Sequence, residues 1–362
     1  MIDRRQSATQ EHPSAPREVY RVAIVGASTL KGKELKEVLE DRNFPALDIK
    51  LLDDEESLGQ LDSVGDEATF IQSVLPENLQ GEDIVFFASD ENFTRKNWNM
   101  AKKAGALLVD LSYALEGEPG GAVRAPWIER ELEQAEGVRP PAQLDSTLAV
   151  VAHPAAVVLA LLLLRAQKAG TLRNVVCTAF EPASERGRRG LDELHGQTVN
   201  LLSFQQLPTE VFDAQVAFNM VARYGEKSMP ALENVERRIL AHLGKITEGR
   251  AIVPALALAQ APIFHGHVFS LYLEFEQPVT AGDFTHALEG DHVTVARLAE
   301  DSPSNVGAAG QDDVLVEVRP AAAGHERGMW VWAAADNLRI SALTAVDCAA
   351  ALARMRSKGR VQ

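Results

Sequence analysis

"YRVAIVGASTLKGKELKEVLE" (residues 20–40) decides the fold. It opens with a β-branched run, turns at Gly26, and continues with helical periodicity through Leu35, Val38 and Leu39. A strand, a glycine turn and a helix in that order make a dinucleotide-binding opening. There the helix N-terminus offers free N–H groups and a positive dipole end to a pyrophosphate. Gly26 and Gly32 serve the tight turn and the helix–strand packing, but the middle glycine position holds Thr29. Its Cβ and methyl group crowd a phosphate, whereas its hydroxyl can still donate one hydrogen bond. The candidate cofactor-binding residues are therefore Gly26, Ala27, Ser28, Thr29 and Gly32, with Asp53 after the next strand. An acid there suits a ribose 2′-hydroxyl and repels a 2′-phosphate, favouring NAD and disfavouring NADP. The competing expectation is that Asp53–Glu56 form a solvated loop and that no cofactor binds.

Outward from this unit, "LDIKLLDD" (47–54), "EDIVFFAS" (82–89) and "GALLVDLS" (105–112) read as further strands. Helical "TRKNWNMAKKAG" (94–105) separates the last two and stops at Gly105. That rhythm predicts a doubly wound parallel sheet. Beyond residue 150 the pattern changes to a long apolar helix (155–169), the strand "NVVCTAFEP" (174–182) and an amphipathic helix over Leu191, Leu194 and Leu202. In "HVFSLYLEFE" (267–276) Phe269, Leu271, Leu273 and Phe275 alternate onto one face. After the polar loop 300–313, two more strands precede a closing helix. The expected fold class is α/β: an N-terminal Rossmann-like domain (20–150, completed by the C-terminal helix 337–362) followed by a mostly antiparallel α+β domain (151–336).

Residues 1–19 are polar and proline-bearing, without an apolar core, and read as a disordered leader. A net charge of −15 disfavours nucleic acid and anionic membranes. The apolar stretch 148–164 is short for a membrane span and is broken by His153 and Pro154. Cys177 and Cys348 lie far apart without CxxC spacing, so no disulfide framework or zinc site is indicated, and a reducing cytoplasm is the expected compartment.

The segments "VAIVGASTLKGKEL", "LEDRNFPALDIKLL", "AKKAGALLVDLSYAL", "AQVAFNMVARYG", "APIFHGH" and "ADNLRISALTAV", in this order, resemble the aspartate-semialdehyde dehydrogenase family from about Tyr20 to the C-terminus. The resemblance implies a dimer built on the second domain and a cysteine nucleophile that attacks the aldehyde before hydride and phosphate transfer. The matching turn here is "HPAAV" (153–157), which puts Ala156 at the nucleophile position. A methyl group forms no hemithioacetal, and such a loss is worth about 10⁶ in rate, or roughly 8 kcal/mol.

By the same resemblance the family glutamine matches Glu181, the substrate-carboxylate arginine Gln260 and the phosphate arginine Glu116. Two cofactor-side glycines match Asp90 and Glu91, a cofactor-side glutamine matches Asp347, and the motif histidine stays as His267. Losing two arginines removes anion clamps and inverts the charge at Glu116. The expectation is a dimeric relative without phosphorylating dehydrogenase activity, in a binding or regulatory role. It would pair with itself, or with a genuine family enzyme through the shared surface. The alternative is an active NAD-linked oxidoreductase that transfers hydride directly, with His267 as acid/base and Asp53 or Asp54 on the ribose. His265 and His267 share a strand face in this reading, but nothing supplies further ligands for a metal. "ERGRRG" (185–190) reads as a short basic turn too small for nucleic acid.

Overall fold

The computed structural model of the chain describes residues 19–65, 67–136, 146–228, 230–298 and 301–356. The leader expected over 1–19 lies outside them, apart from Val19. The first domain runs β1 (Tyr20–Val25), α1 (Leu30–Asp41), β2 (Ala46–Asp53) and a small hairpin of β3 (Leu61–Val64) and β4 (Glu67–Phe70). It continues through β5 (Gln72–Ser73), α2 (Pro76–Leu79), β6 (Ile84–Phe87), α3 (Glu91–Ala104) and β7 (Leu107–Asp110). β8 (Gly121–Arg124), α4 (Pro126–Glu136) and β9 (Leu148–Val151) complete its sheet. The seven strands stand in the order β5-β2-β1-β6-β7-β9-β8, and every neighbouring pair is parallel. Strands β6, β7 and β9 are buried throughout, because helices cover both faces of such a sheet.

The second domain holds α5 (Pro154–Ala169), β10 (Leu172–Glu181), a 3₁₀ turn (Ala183–Arg186), α6 (Gly187–Leu202), α7 (Leu232–Ile246), β11 (Ala255–Gln260) and β12 (His267–Phe275). It ends with α8 (Ala281–Leu288), β13 (Val293–Val295), α9 (Asn305–Ala308), β14 (Val314–Pro320) and β15 (Gly328–Ala335). Its six-stranded sheet has the order β11-β10-β12-β15-β14-β13, antiparallel in the centre with a parallel pair at each edge. Phe269, Leu271, Leu273 and Phe275 all point into the core, as their alternation requires. The last helix, α10 (Asn337–Arg356), returns to pack on α1 and on β7 and β9. Arg339 fastens it there, reaching Glu34 and Asp41 of α1 and also Asp312.

The apolar stretch 148–164 divides at His153–Pro154 into β9 and the start of α5. Proline at the first helical position costs no hydrogen bond, so the chain turns there from sheet to helix. Helix α5 is apolar nearly all round because it touches α4, α7, α8, α10 and β10. Among the described residues no helix is long and apolar enough to cross a membrane.

Three details differ from expectation. Leu202 closes α6 facing outward, and the buried side of that helix is Gly190, Glu193, Leu194 and Gln197. "ERGRRG" is no turn: it runs from the 3₁₀ segment into α6, with Arg188 and Arg189 outside and Glu185 and Arg186 turned inward. His265 precedes β12 and does not share its face with His267.

Candidate functional site

The glycine turn takes the shape its sequence demands. Gly26 has φ of +89°, and a Cβ there would lie 2.5 Å from the Ser89 backbone nitrogen. A Cβ on Gly32 would lie 2.1 Å from the Gly26 carbonyl oxygen, so α1 starts against the turn only without a side chain. Thr29 is the N-cap of α1: its hydroxyl accepts from the Gly32 N–H at 2.9 Å and lies 2.8 Å from the Gly26 carbonyl. The hydroxyl thereby satisfies a helix N-terminal donor from within the chain. Asp53 is buried at the end of β2, where its carboxylate accepts from the N–H groups of Ser28 (2.7 Å) and Asp54 (2.9 Å). Asp54, Glu55 and Glu56 are exposed. Gly26, Ala27, Ser28, Thr29, Gly32 and Asp53 therefore come together in one crevice at the ends of β1 and β2.

A second cluster forms where the other sheet meets α5. Parallel pairing places Gln260 beside Glu181, and continuation of the β10–β12 register places His267 on its other side. All three are buried on the face that α5 covers. Gln260 is fully engaged, donating to the carbonyls of Glu181 (2.9 Å) and Ala261 (2.8 Å) and accepting from Tyr224 Oη (2.7 Å). Ala156 lies in the first turn of α5 with no exposed surface. His153 caps that helix, accepting from the Ala155 N–H through Nδ1 at 3.2 Å. Its Nε2 is 3.8 Å from Glu185, which is held in turn by the Asn337 amide at 2.8 Å. Asn337 Oδ1 also accepts from Ser184 Oγ and from the Gly266 N–H, tying the 3₁₀ turn to the chain entering β12.

The first domain closes over this cluster. Asp110 binds the N–H groups of Ser112 and Leu115 (2.8 Å each) and the Ser112 hydroxyl, folding the loop after β7. That loop holds Tyr113 at φ of +66°, a conformation paid for by the buried carboxylate contacts. The Tyr113 ring stacks on His153, with 5.7 Å between centroids. Lys31, in the first turn of α1, donates to the Leu111 carbonyl and lies over the same ring. Lys31 thus connects the glycine crevice to the second cluster. His242 of α7 accepts the His153 N–H at Nδ1 (2.9 Å), which assigns its proton to Nε2, 3.0 Å from Glu116. Arg238, one turn earlier, reaches Glu116 (3.1 Å) and Glu91 (2.9 Å) and covers Tyr113.

Burial sets the protonation states. It keeps His153 well below the usual histidine range and lowers His267 as well, the carboxylate of Glu185 opposing in both cases. Glu185 is pulled down to about 2: burial pushes up, but His153, His267 and Lys31 outweigh it. Glu181 is pushed up to about 8 by burial, against the attraction of Arg186. Its oxygens, and the Nε2 of His267, lack hydrogen-bond partners among the described residues. The arrangement has buried acid and base groups but no nucleophile at residue 156. The thiols of Cys177, pushed up to about 12, and Cys348, also raised, are buried and unreactive by their burial.

The residues singled out in the sequence are thus at two linked places: the glycine crevice, and the cluster holding Ala156, Glu181 and His267. Asp90 caps α3, and Asp347 bonds Trp127 and Arg130 of α4. Sequence reading passed over Lys31, Tyr113, His153, Glu185, Arg186, Arg238 and His242 as site residues. No motif links them. The inward Glu185–Arg186 pair carried the one available signal, as charged residues between a strand and an amphipathic helix.

Residues 21–158 match the family description "Semialdehyde dehydrogenase, NAD binding domain", and residues 162–340 match "Semialdehyde dehydrogenase, dimerisation domain". The chain is 31 % identical over 330 residues to a USG-1 protein homolog of Azotobacter vinelandii, covering 91 % of this chain and 96 % of that one. It is 27 % identical to an aspartate-semialdehyde dehydrogenase of Rickettsia bellii, covering 88 % and 93 %. The crystal structure of aspartate semialdehyde dehydrogenase II from Vibrio cholerae superposes with a TM-score of 0.80 at 25 % identity, covering 95 % of this chain and all of that one. With both domain descriptions matched in order across the same crevice and cluster, the chain belongs to the semialdehyde dehydrogenase family.

Proposed function

We propose that this protein is a homodimeric member of the family that has lost phosphorylating aldehyde oxidation and acts by binding. The observation that carries this reading is the buried methyl group of Ala156 where the resemblance puts a thiolate. Around it Gln260 has its hydrogen-bonding capacity turned inward, and Glu116 brings negative charge. The test is phosphate-dependent reduction of NAD or NADP with aspartate semialdehyde. No turnover is expected, and appreciable turnover overturns the reading.

The Gly26–Gly32 turn would hold the pyrophosphate of NAD, and Asp53 or the exposed Asp54 the adenosine ribose. We favour NAD over NADP because the acidic run after β2 would repel a 2′-phosphate. Exposed Val199, Leu202 and Phe204 at the end of α6 supply apolar surface for a second copy. Light scattering at twice the chain mass is the expected result. Pairing with a genuine family enzyme would use the same surface and would show as mixed dimers on co-expression.

One observation favours the rival reading, an NAD-linked oxidoreductase without a covalent intermediate. His267 Nε2 is buried, without a hydrogen-bond partner among the described residues, on a ring held neutral. NAD would supply the hydride acceptor, and His267 would take the proton of an alcohol. Absence of NAD binding at millimolar concentration removes this option.

A further inference from the structure

Arg124, Arg165, Arg238 and Arg339 each turn Nε and Nη2, the side-on edge of the guanidinium, to carboxylates of the chain. Arg124 does so in full, meeting both oxygens of Glu129 at 2.8 and 2.6 Å. Arg186, in the 3₁₀ turn after β10, is different. Its side chain is only 7 % exposed, yet its Nε and Nη2 have no hydrogen-bond partner among the described residues. The nearest carboxylate, Glu181, stands off at 3.6 Å, and burial favours its neutral form. Glu185 is held by the Asn337 amide and sits among His153, His267 and Lys31. A buried cation without a hydrogen-bonded anion is among the least stable arrangements a fold can keep. On the same sheet face, both Glu181 oxygens and the Nε2 of neighbouring His267 are unbonded too.

We propose that these atoms form a subsite for a small hydroxymonocarboxylate: the side-on edge of Arg186 takes the carboxylate, and His267 Nε2 bonds the hydroxyl. Two parallel N–H groups match the two oxygens of a carboxylate, as Arg124 shows within this chain. Glu185 already occupies the neighbourhood of Lys31, so a second acid group on the ligand finds no free cation. The atoms have no exposed surface, so the ligand displaces the unbonded Glu181 acid from the guanidinium edge and keeps it neutral. Once ionised, Glu181 takes that edge itself, and binding weakens as pH rises through about 8. The groups facing Glu181 are Arg186 and Glu185 of the 3₁₀ turn, Tyr224, Gln260 of β11 and His267 of β12. The subsite deepens the reading that this protein acts by binding, and it rests on that reading.

The test is calorimetric titration of the full chain with lactate and 3-hydroxybutanoate, whose hydroxyls sit on the first and second carbon beyond the carboxylate. The matching amides are the controls. At least one acid is expected to bind at millimolar concentration, and its amide about tenfold or more weakly, the size of a charged hydrogen-bonded pair. R186Q should weaken acid binding by a similar factor, and R186K, which keeps the charge without the fork, by less. Between pH 7 and 9 the parent should lose about tenfold in affinity, whereas E181Q should hold its own. The acid–amide comparison uses the unaltered chain, so it decides the matter even where Arg186 variants do not fold. Acid and amide binding alike, no acid binding, or a folded R186Q as tight as the parent would overturn the subsite. So would an equal loss with pH in E181Q and parent. None of these results touches the loss of turnover, which the aspartate semialdehyde assay tests separately.

Discussion

Arg186 approaches Glu181 to 3.6 Å inside the second domain, and neither oxygen of that carboxylate has a hydrogen bond among the described residues. The guanidinium instead lies over the Tyr224 ring, 4.8 Å from its centre. Burial without full pairing favours the neutral acid, the reverse of what happens at Glu185, which has the two imidazoles, the Lys31 ammonium and the Asn337 amide around it.

This contrast predicts two pH limbs in stability. Glu181 is raised from 4.5 to about 8, so the folded chain holds a proton that the unfolded chain releases. That contribution is present below the unfolded value and is lost as pH rises through the folded one. His153 and His267 are lowered from 6.5, so their contribution is present above that value and is lost as pH falls through their depressed folded values. Glu185 extends the acid limb, its stabilisation being lost as pH falls from 4.5 towards about 2. Thermal midpoints across pH 5 to 9 should therefore fall on the alkaline side, and E181Q should flatten that fall. An unchanged alkaline slope in E181Q would contradict the assignment.

Restoring sulfur alone should not restore the reaction. Ala156→Cys places a thiol in a site with no exposed surface, without the arginines that the resemblance assigns to anion recognition. Turnover of aspartate semialdehyde should remain about 10³-fold or more below that of a genuine family enzyme, since residues acting as a unit are not additive. Steady-state assays with NAD and NADP check this.

Arg339→Gln should destabilise the protein by about 2 kcal/mol, because three carboxylates lose one nearly buried partner. Partial exposure of Asp41 and Asp312 keeps the loss below that of a fully buried pair. Urea denaturation gives the figure.

Gly32→Ala should cost about 2 kcal/mol or more, since the added carbon meets a backbone oxygen that no rotamer can avoid. An alanine at exposed Val306 of α9, Val306→Ala, should change stability little by comparison.

The architecture was legible where periodicity and punctuation coincide. β1, its glycine turn and α1 follow directly from residues 20–40, and Gly105 ends α3 in the left-handed conformation expected of a helix stop. The short strands β3, β4, β5 and β8 carry too few residues to show alternation, and α7 sits inside a stretch that reads as irregular. The first cluster was readable for the same reason as the fold: the turn is contiguous. The second draws His153, Glu185, His242 and Asn337 from four elements, and only tertiary packing makes them neighbours.

Asn337 opens the final helix, yet it fixes Glu185 and the entry to β12 while its own helix rests on the first domain. During synthesis from the N-terminus, neither half can therefore finish before α10 is made. The parallel sheet lacks a covering layer, and the acid–histidine chamber lacks its keystone, until residues 337–356 leave the ribosome. Truncation before residue 337 would strip both at once.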